Sequence, residues 1–256
     1  MPILSLEGTL GSAPAPQHDR ISPGTRACEI FCLLLAALLL VANIVRLFRS
    51  AALVEWWAPV VIVVSAIGTD LVSGIVHWTA DTWGSEMMPV VGRRFLRPFR
   101  VHHVNPDDFL RRDPIDCNAD VAMLNIPILA GALLIPLSTS GGRIAAVAVV
   151  AFSAVALPTN QVHQWAHMPE PPWIVRWLQR RRIILSREQH GRHHREPYIT
   201  NYCITTGWCN QWLTAIDFFH GLERRITTLT GWQPRTDEQL FAERLQSAGE
   251  PLGHVE

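Results

Sequence analysis

Residues 56–81 read WWAPVVIVVSAIGTDLVSGIVHWTAD. A tryptophan pair opens an apolar run that continues to His77–Trp78, and Asp81 stands one helical turn beyond His77. About 20 such residues, at about 1.5 Å rise each, cross a hydrocarbon layer about 30 Å thick. The stretch therefore reads as a membrane span with an imidazole at its end. Asp70 lies within it, and a polar residue there is expensive in lipid, so it is expected to face other helices.

Three more apolar runs lie on either side. Ile30–Val45 reaches spanning length when Leu47 and Phe48 are included, and Ala119–Leu137 is interrupted by Asp120, Asn125, Pro127 and Pro136. The turn Ser138–Gly142 joins that run to Ile144–His163, which suggests a helical hairpin. The expectation is an all-α membrane protein, with four transmembrane helices and a cytosolic helical cap rich in histidine. Two buried helices of a large soluble protein compete with this reading. Four such runs in 256 residues, however, leave too little polar surface to solvate them. Residues 1–27 are polar and rich in Pro, Gly and Ser, and read as a disordered leader; 28–240 read as the integral-membrane domain and 241–256 as a tail.

Composition agrees. Only 17 % of residues are charged against 48 % hydrophobic, and a soluble domain carries about 25 % charge. Net charge is zero and no basic stripe accompanies a known module, which argues against nucleic acid as a partner. Cys28, Cys32, Cys117, Cys203 and Cys209 form no C-x-x-C pair, so neither a disulfide framework nor a cysteine zinc site is expected. All 22 basic residues are arginine, a bias expected of a GC-rich bacterial genome. With four spans, 19 arginines fall on one side and only Arg46, Arg49 and Arg143 on the other. The positive-inside rule makes the rich side cytoplasmic, together with both termini, as in a bacterial inner membrane. Trp56, Trp57, Trp78, Trp83 and Trp165 fall at the expected span ends. The run Arg180–Arg182 reads as a contact to anionic lipid or a topology determinant.

There are 11 histidines. His18, His220 and His254 are isolated or terminal and read as bystanders. The other eight form four groups: His77; His102 and His103; His163 and His167; and the H-x-x-H-H cluster His190, His193, His194. Residues at i, i+3 and i+4 share a helical face, so the last two groups can each present converging imidazoles. His102 and His103, about 100° apart on a helix, can reach two neighbouring metals. All four groups are expected on one side of the membrane. Imidazole suits iron, copper, zinc and nickel, and eight ligands exceed what one tetrahedral zinc uses. Two metals with open positions for dioxygen fit the count. Asp81, at i+4 from His77, is expected to ligate a metal or accept a hydrogen bond beside it, and is the carboxylate assigned to catalysis. A transporter would place its ligands near the bilayer midplane. A two-haem protein would leave several of the eight unused.

Several strings together resemble the Kua family, the plasmanylethanolamine desaturases, within the wider class of His-box membrane desaturases and hydroxylases. They are DLVSGIVHWTADTWGS (70–85), RPFRVHH (97–103), TNQVHQWAH (159–167), HGRHH (190–194), YCITTGWCN (202–210) and LTGWQPRTD (229–237). The resemblance spans roughly 60–240 and marks 28–240 as a lipid desaturase domain. It implies an enzyme that removes two hydrogens from the alkyl chain beside the ether oxygen of a plasmanyl lipid, leaving the vinyl ether of a plasmalogen. It also implies two iron ions and dioxygen as cosubstrate. The implied metal-site residues are His77, Asp81, His102, His103, His163, His167, His190, His193 and His194. Gln189, Tyr198 and Arg112 stand where animal members can carry further histidines. Pro197–Tyr198 and Asn201–Cys203 are also similar to the plant branch that acts on palmitate in phosphatidylglycerol, whereas 207–210 and 234–237 favour the plasmanyl branch. No G-x-G-x-x-G or flavin fingerprint occurs. Electrons are therefore expected from an external donor of ferredoxin or cytochrome b5 type, docking on the arginine-rich face. The rival within the same metal logic is an acyl-chain desaturase or hydroxylase.

Overall fold

A computed structural model describes residues 21–85, 88–89, 91–195 and 198–235, and all regular structure among them is helical. Most of the expected leader and the whole tail 241–256 lie outside these residues, as do His18 and His254. Three helical stretches are long and apolar enough to cross a membrane: α1 (Pro23–Arg49), α2 (Ala58–Thr82) and the pair α6 (Ser140–Ala156) and α7 (Thr159–His167). Only 22 %, 28 % and 28 % of their most apolar windows are buried. Phe31, Leu34 and Leu38 of α1 and Val60, Val63 and Val64 of α2 face outward. An apolar exterior of this kind suits lipid as the surrounding solvent.

α1 begins at Pro23, inside the stretch expected to be leader. Ser22 Oγ accepts the Thr25 amide (3.1 Å), and proline at the first position has no N–H to leave unpaired. α6 and α7 are separated by a break at Leu157–Pro158.

Among the described residues three candidate spans stand where four were expected. The run 119–137 forms α5 (Pro114–Ala132), which ends before Leu137 and starts with polar turns. Asp113 caps it, Asp116 pairs with Arg112 (2.6 Å), and Asp120 pairs with Arg94 (2.7 Å). Asn118 Nδ2 reaches Gln161. These ion pairs and amide contacts hold its first half in the protein, where a true span would present apolar side chains to lipid. α5 packs along α1 through small side chains, with Ala36, Ala119 and Ala122 buried. Asn43 Nδ2 donates to Leu129 O (2.9 Å), and Arg46 donates to Ala132 O and Ile135 O at the C-terminal end of α5.

The shorter helices are α3 (Arg97–Val104), α4 (Pro106–Arg111), α8 (Trp173–Arg180), α9 (Arg187–His193), α10 (Asn210–Ala215) and α11 (Phe218–Thr230). A π-helical turn, Gly92–Leu96, leads into α3. α3 packs on α2, and α4 and α9 pack on α7, so the chemistry-bearing elements meet where α2 and α7 end. A buried cluster of Trp78, Tyr202, Cys203, Cys209, Leu213 and Phe219 ties the 202–219 region to α2.

Candidate metal centre

All nine expected site residues converge, in two groups. His102, His163, His167, His190 and His194 form one; His77, Asp81, His103 and His193 form the other. Within each group one ligand atom per residue lies within 4.8 Å of the rest. α2 supplies His77 and Asp81, α3 supplies His102 and His103, and α7 supplies His163 and His167. α9 supplies His190 and His193, with His194 at its C-cap. Ser186 Oγ caps α9 by accepting the Gln189 amide, which starts the helix where its i, i+3 and i+4 histidines point inward.

The donor chemistry fits metal ions. His190 Nε2 lies 2.9 Å from His163 Nε2, 2.7 Å from His167 Nε2 and 3.0 Å from His194 Nε2. A neutral imidazole nitrogen holds either one proton or one lone pair, so His190 can form a good hydrogen bond with one of these neighbours only. The remaining nitrogens face each other uncompensated unless a cation sits among them. His102 Nε2 is buried with no hydrogen-bond partner. In the second group Asp81 Oδ2 is 3.2 Å from His77 Nε2 and 3.5 Å from both His103 Nε2 and His193 Nε2. Burial, reinforced by neighbouring imidazoles, holds His102, His190 and His194 well below the ordinary imidazole value. Neutral rings are the form that ligates.

Backbone carbonyls orient the second group. His77 Nδ1 lies 3.1 Å from Tyr202 O, and His193 Nδ1 lies 2.8 Å from Thr200 O. A carbonyl only accepts, so each Nδ1 carries the proton and each Nε2 keeps its lone pair for a metal. Arg235 donates from Nη1 to Asp81 O and from its backbone amide to Thr82 O, docking the 229–235 segment on the end of α2. Aromatic walls close the site: Phe99 against His77 (ring centroids 5.2 Å), Phe109 against His163 (4.9 Å) and Tyr198 stacked on His103 (5.7 Å).

A cavity of about 290 Å³ lies next to the site, on the far side of Phe99, whose ring meets His77 and His102. Val72, Val76, Phe99, Leu124, Ile128 and Phe152 supply much of its apolar wall, with Arg94 and Asp120 also lining it. Phe99 is shared between cavity and site. Val72, Val76, Leu124 and Ile128 on its wall are exposed, so the cavity is open between α2 and α5, two helices with apolar exposed side chains.

The sequence profile of the lipid desaturase domain matches residues 66–237. The chain belongs to the lipid desaturase family. A plasmanylethanolamine desaturase of Myxococcus xanthus is 40 % identical over 217 residues, covering 85 % of this chain and 77 % of that protein. Plasmanylethanolamine desaturase 1 of Mus musculus is 37 % identical over 236 residues, covering 88 % and 86 %. A chloroplastic protein of Arabidopsis thaliana, fatty acid desaturase 4, is 34 % identical over 171 residues, covering 65 % and 51 %. No solved structure matches significantly.

The three departures in this lipid desaturase lie outside both groups. Gln189 Nε2 turns to Gly207 O (3.4 Å), Arg112 is spent on Asp116, and Tyr198 lies on His103 without joining the ligand atoms. His220 sits at the surface beside Asp217 and Glu223. Sequence reasoning missed Asn210, whose side chain clamps Cys203 N and O (2.9 and 2.8 Å), and Glu223, which accepts the Trp78 indole N–H (2.7 Å). No periodicity marks either; both lie inside or near strings already singled out.

Proposed function

We propose that this lipid desaturase introduces the vinyl-ether double bond into the alkyl chain of plasmanyl ether phospholipids. The observation that carries the reading is the convergence of eight imidazoles and one carboxylate beside an apolar, laterally open cavity. Relatives named as plasmanylethanolamine desaturases, similar over most of their length, support the substrate class.

The two groups are proposed to hold two iron ions, with Asp81 as the carboxylate of the four-member group. When bound, such a pair supplies the redox chemistry that couples dioxygen to removal of two hydrogens. Dioxygen leaves as two waters, which takes those two hydrogens, two electrons from an external donor of ferredoxin or cytochrome b5 type, and two protons. The chain's own residues do the rest. Val76 and Phe99 guide the alkyl chain so that its first carbons lie nearest His77 while later methylenes run between α2 and α5. Phe99 and Phe109 keep water from the rings. Tyr202 O and Thr200 O hold the His77 and His193 tautomers.

The site is proposed to face the cytoplasm of a bacterial inner membrane, with the phospholipid headgroup in the polar layer above it. α5 runs the length of α1, from the Arg26–Asp113 pair at one end to Arg46 on Ala132 O at the other, and so carries the chain back to the start of α6. With that return counted, the arginine excess on the side of the site supports this orientation. The lipid desaturase domain is proposed to span 28–240.

Lipidomics after expression in a host lacking plasmalogens tests the activity. Acid-labile vinyl ethers are expected; an altered fatty-acid profile without them replaces the reading with acyl-lipid desaturation. His163→Ala or His193→Ala is expected to abolish the product while membrane insertion persists.

A further inference from the structure

We propose that Asp70, which belongs to neither ligand group, is a positioning residue that fixes the segment orienting His77 and His193 and thereby selectively organises the four-member group. The inference rests on the reading that each group holds an iron ion.

Asp70 is fully buried in a membrane helix, seven residues before His77. A carboxylate there needs strong compensation. Its Oδ1 accepts the amides of Thr206 (2.7 Å) and Gly207 (2.9 Å), and its Oδ2 accepts the amide of Cys209 (2.9 Å). Gly207 adopts φ +72°, which lets the turn aim successive N–H groups at one anion. Two further contacts seat the same segment on α2. Ser73 Oγ accepts the Ile204 amide (3.1 Å), and Gly74 leaves room for Cys203, since a Cβ at Gly74 would lie 2.5 Å from Cys203 Sγ. Asn210 closes the turn from the other end through both polar groups of the Cys203 backbone.

The segment held this way carries the two carbonyls that meet His77 and His193, from Tyr202 and Thr200. Its other side-chain contacts meet α9 and α7 away from the five-member rings: Asn201 Nδ2 donates to Gln189 O, Gln189 Nε2 donates to Gly207 O, and Thr205 Oγ1 meets Thr159 Oγ1. Among the described residues His190 Nδ1 has no hydrogen-bond partner. The chain of positions is therefore Asp70, then the 200–209 backbone, then the Nδ1 atoms of two imidazoles, and the imidazole nitrogens it reaches belong to one group. Partners behind a ligand typically govern about 10- to 100-fold in metal affinity.

The test is chelator competition on the full chain in detergent, loaded with ferrous iron, with total metal read by elemental analysis. Wild type is expected to release two ions in distinct steps. In Asp70→Asn one step moves to about 10- to 100-fold weaker binding and the other stays. Two unmoved steps, or two equally moved steps, overturn the proposal, the second because it marks a general structural defect. If Asp70→Asn does not yield folded protein, Asn210→Ala carries the same expectation and the same overturning outcomes. A wild-type chain that binds no iron overturns the two-ion reading itself, before any variant is compared.

Discussion

His102 and His103 are adjacent in sequence, their rings lie 4.5 Å apart at 75°, and they belong to different ligand groups. One helical step thus divides the site. The two groups left behind by truncation are unequal: removing His102 leaves four imidazoles, while removing His103 leaves two imidazoles and a carboxylate. His103→Ala is expected to weaken one iron ion by more than about 100-fold, and His102→Ala to weaken the other by less. Chelator competition on both variants measures this. Equal losses would contradict the division.

Much of the site is legible in the sequence because imidazole spacing has geometric content. The i, i+4 spacing of His190 and His194 brings both into the five-member group, while His193 at i+3 turns to the other group, a division that spacing does not show. The carbonyl anchors of His77 and His193 are not legible, because a backbone oxygen has no residue type. The inward turn of Asp70 follows from its place in an apolar run; what it holds depends on a segment more than 130 residues away. The difference over α5 has a similar origin. Hydropathy counts Asp116 and Asp120 as interruptions of a span, whereas pairing with Arg112 and Arg94 makes them part of a helix whose first half is protein-bound.

Stability without metal should depend on pH. His102, His190 and His194 titrate below 6.5 when folded and near it when unfolded. Between those values the unfolded chain binds more protons, so stability is full above pH 6.5 and declines as pH falls below it. Each such imidazole contributes a loss of up to about 1.4 kcal/mol per pH unit. The metal-free chain is expected to show a flat unfolding midpoint above pH 7 and a falling one below 6.5. Iron loading should move the decline to lower pH, because metal competes with protons for the same nitrogens. A midpoint insensitive to pH between 5 and 7 would contradict burial of neutral rings.

Val76 lines the cavity one residue before His77 and is 53 % exposed. Val76→Trp fills the space where the alkyl chain approaches without touching a ligand atom. At least a tenfold loss in kcat/KM, about 1.4 kcal/mol of transition-state stabilisation, is expected with iron content unchanged. Comparing turnover and metal per chain checks it. Full activity would place the alkyl chain elsewhere.

Gly74 sits where α2 meets Cys203 at closest approach. Gly74→Val must push the 203–209 segment away from α2, because the nearest atoms include the Cys203 backbone at 3.3 and 3.4 Å as well as its sulfur. Overpacking of this kind costs about 1–3 kcal/mol. The thermal midpoint is expected to fall, and the His77 and His193 anchors to loosen with it. Gly68, where an added Cβ would meet nothing within 4 Å, is the control: Gly68→Ala is expected to leave the midpoint within error or raise it.

Asp81 separates a charge effect from a shape effect. Its Oδ2 faces three imidazole nitrogens at 3.2–3.5 Å, and neither carboxylate oxygen has a hydrogen-bond partner among the described residues. A buried carboxylate in that position gains most from a cation, since the neutral rings beside it offer little compensation. Asp81→Asn keeps the volume and removes the charge. With metal absent, relief of an uncompensated buried carboxylate should raise the thermal midpoint of the variant above wild type. With iron present the order should invert, because wild type gains a charged ligand that the amide cannot replace. Thermal unfolding of both proteins, with and without ferrous iron, gives four midpoints. A variant that is less stable than wild type in both conditions would assign Asp81 a packing role instead of a ligand role.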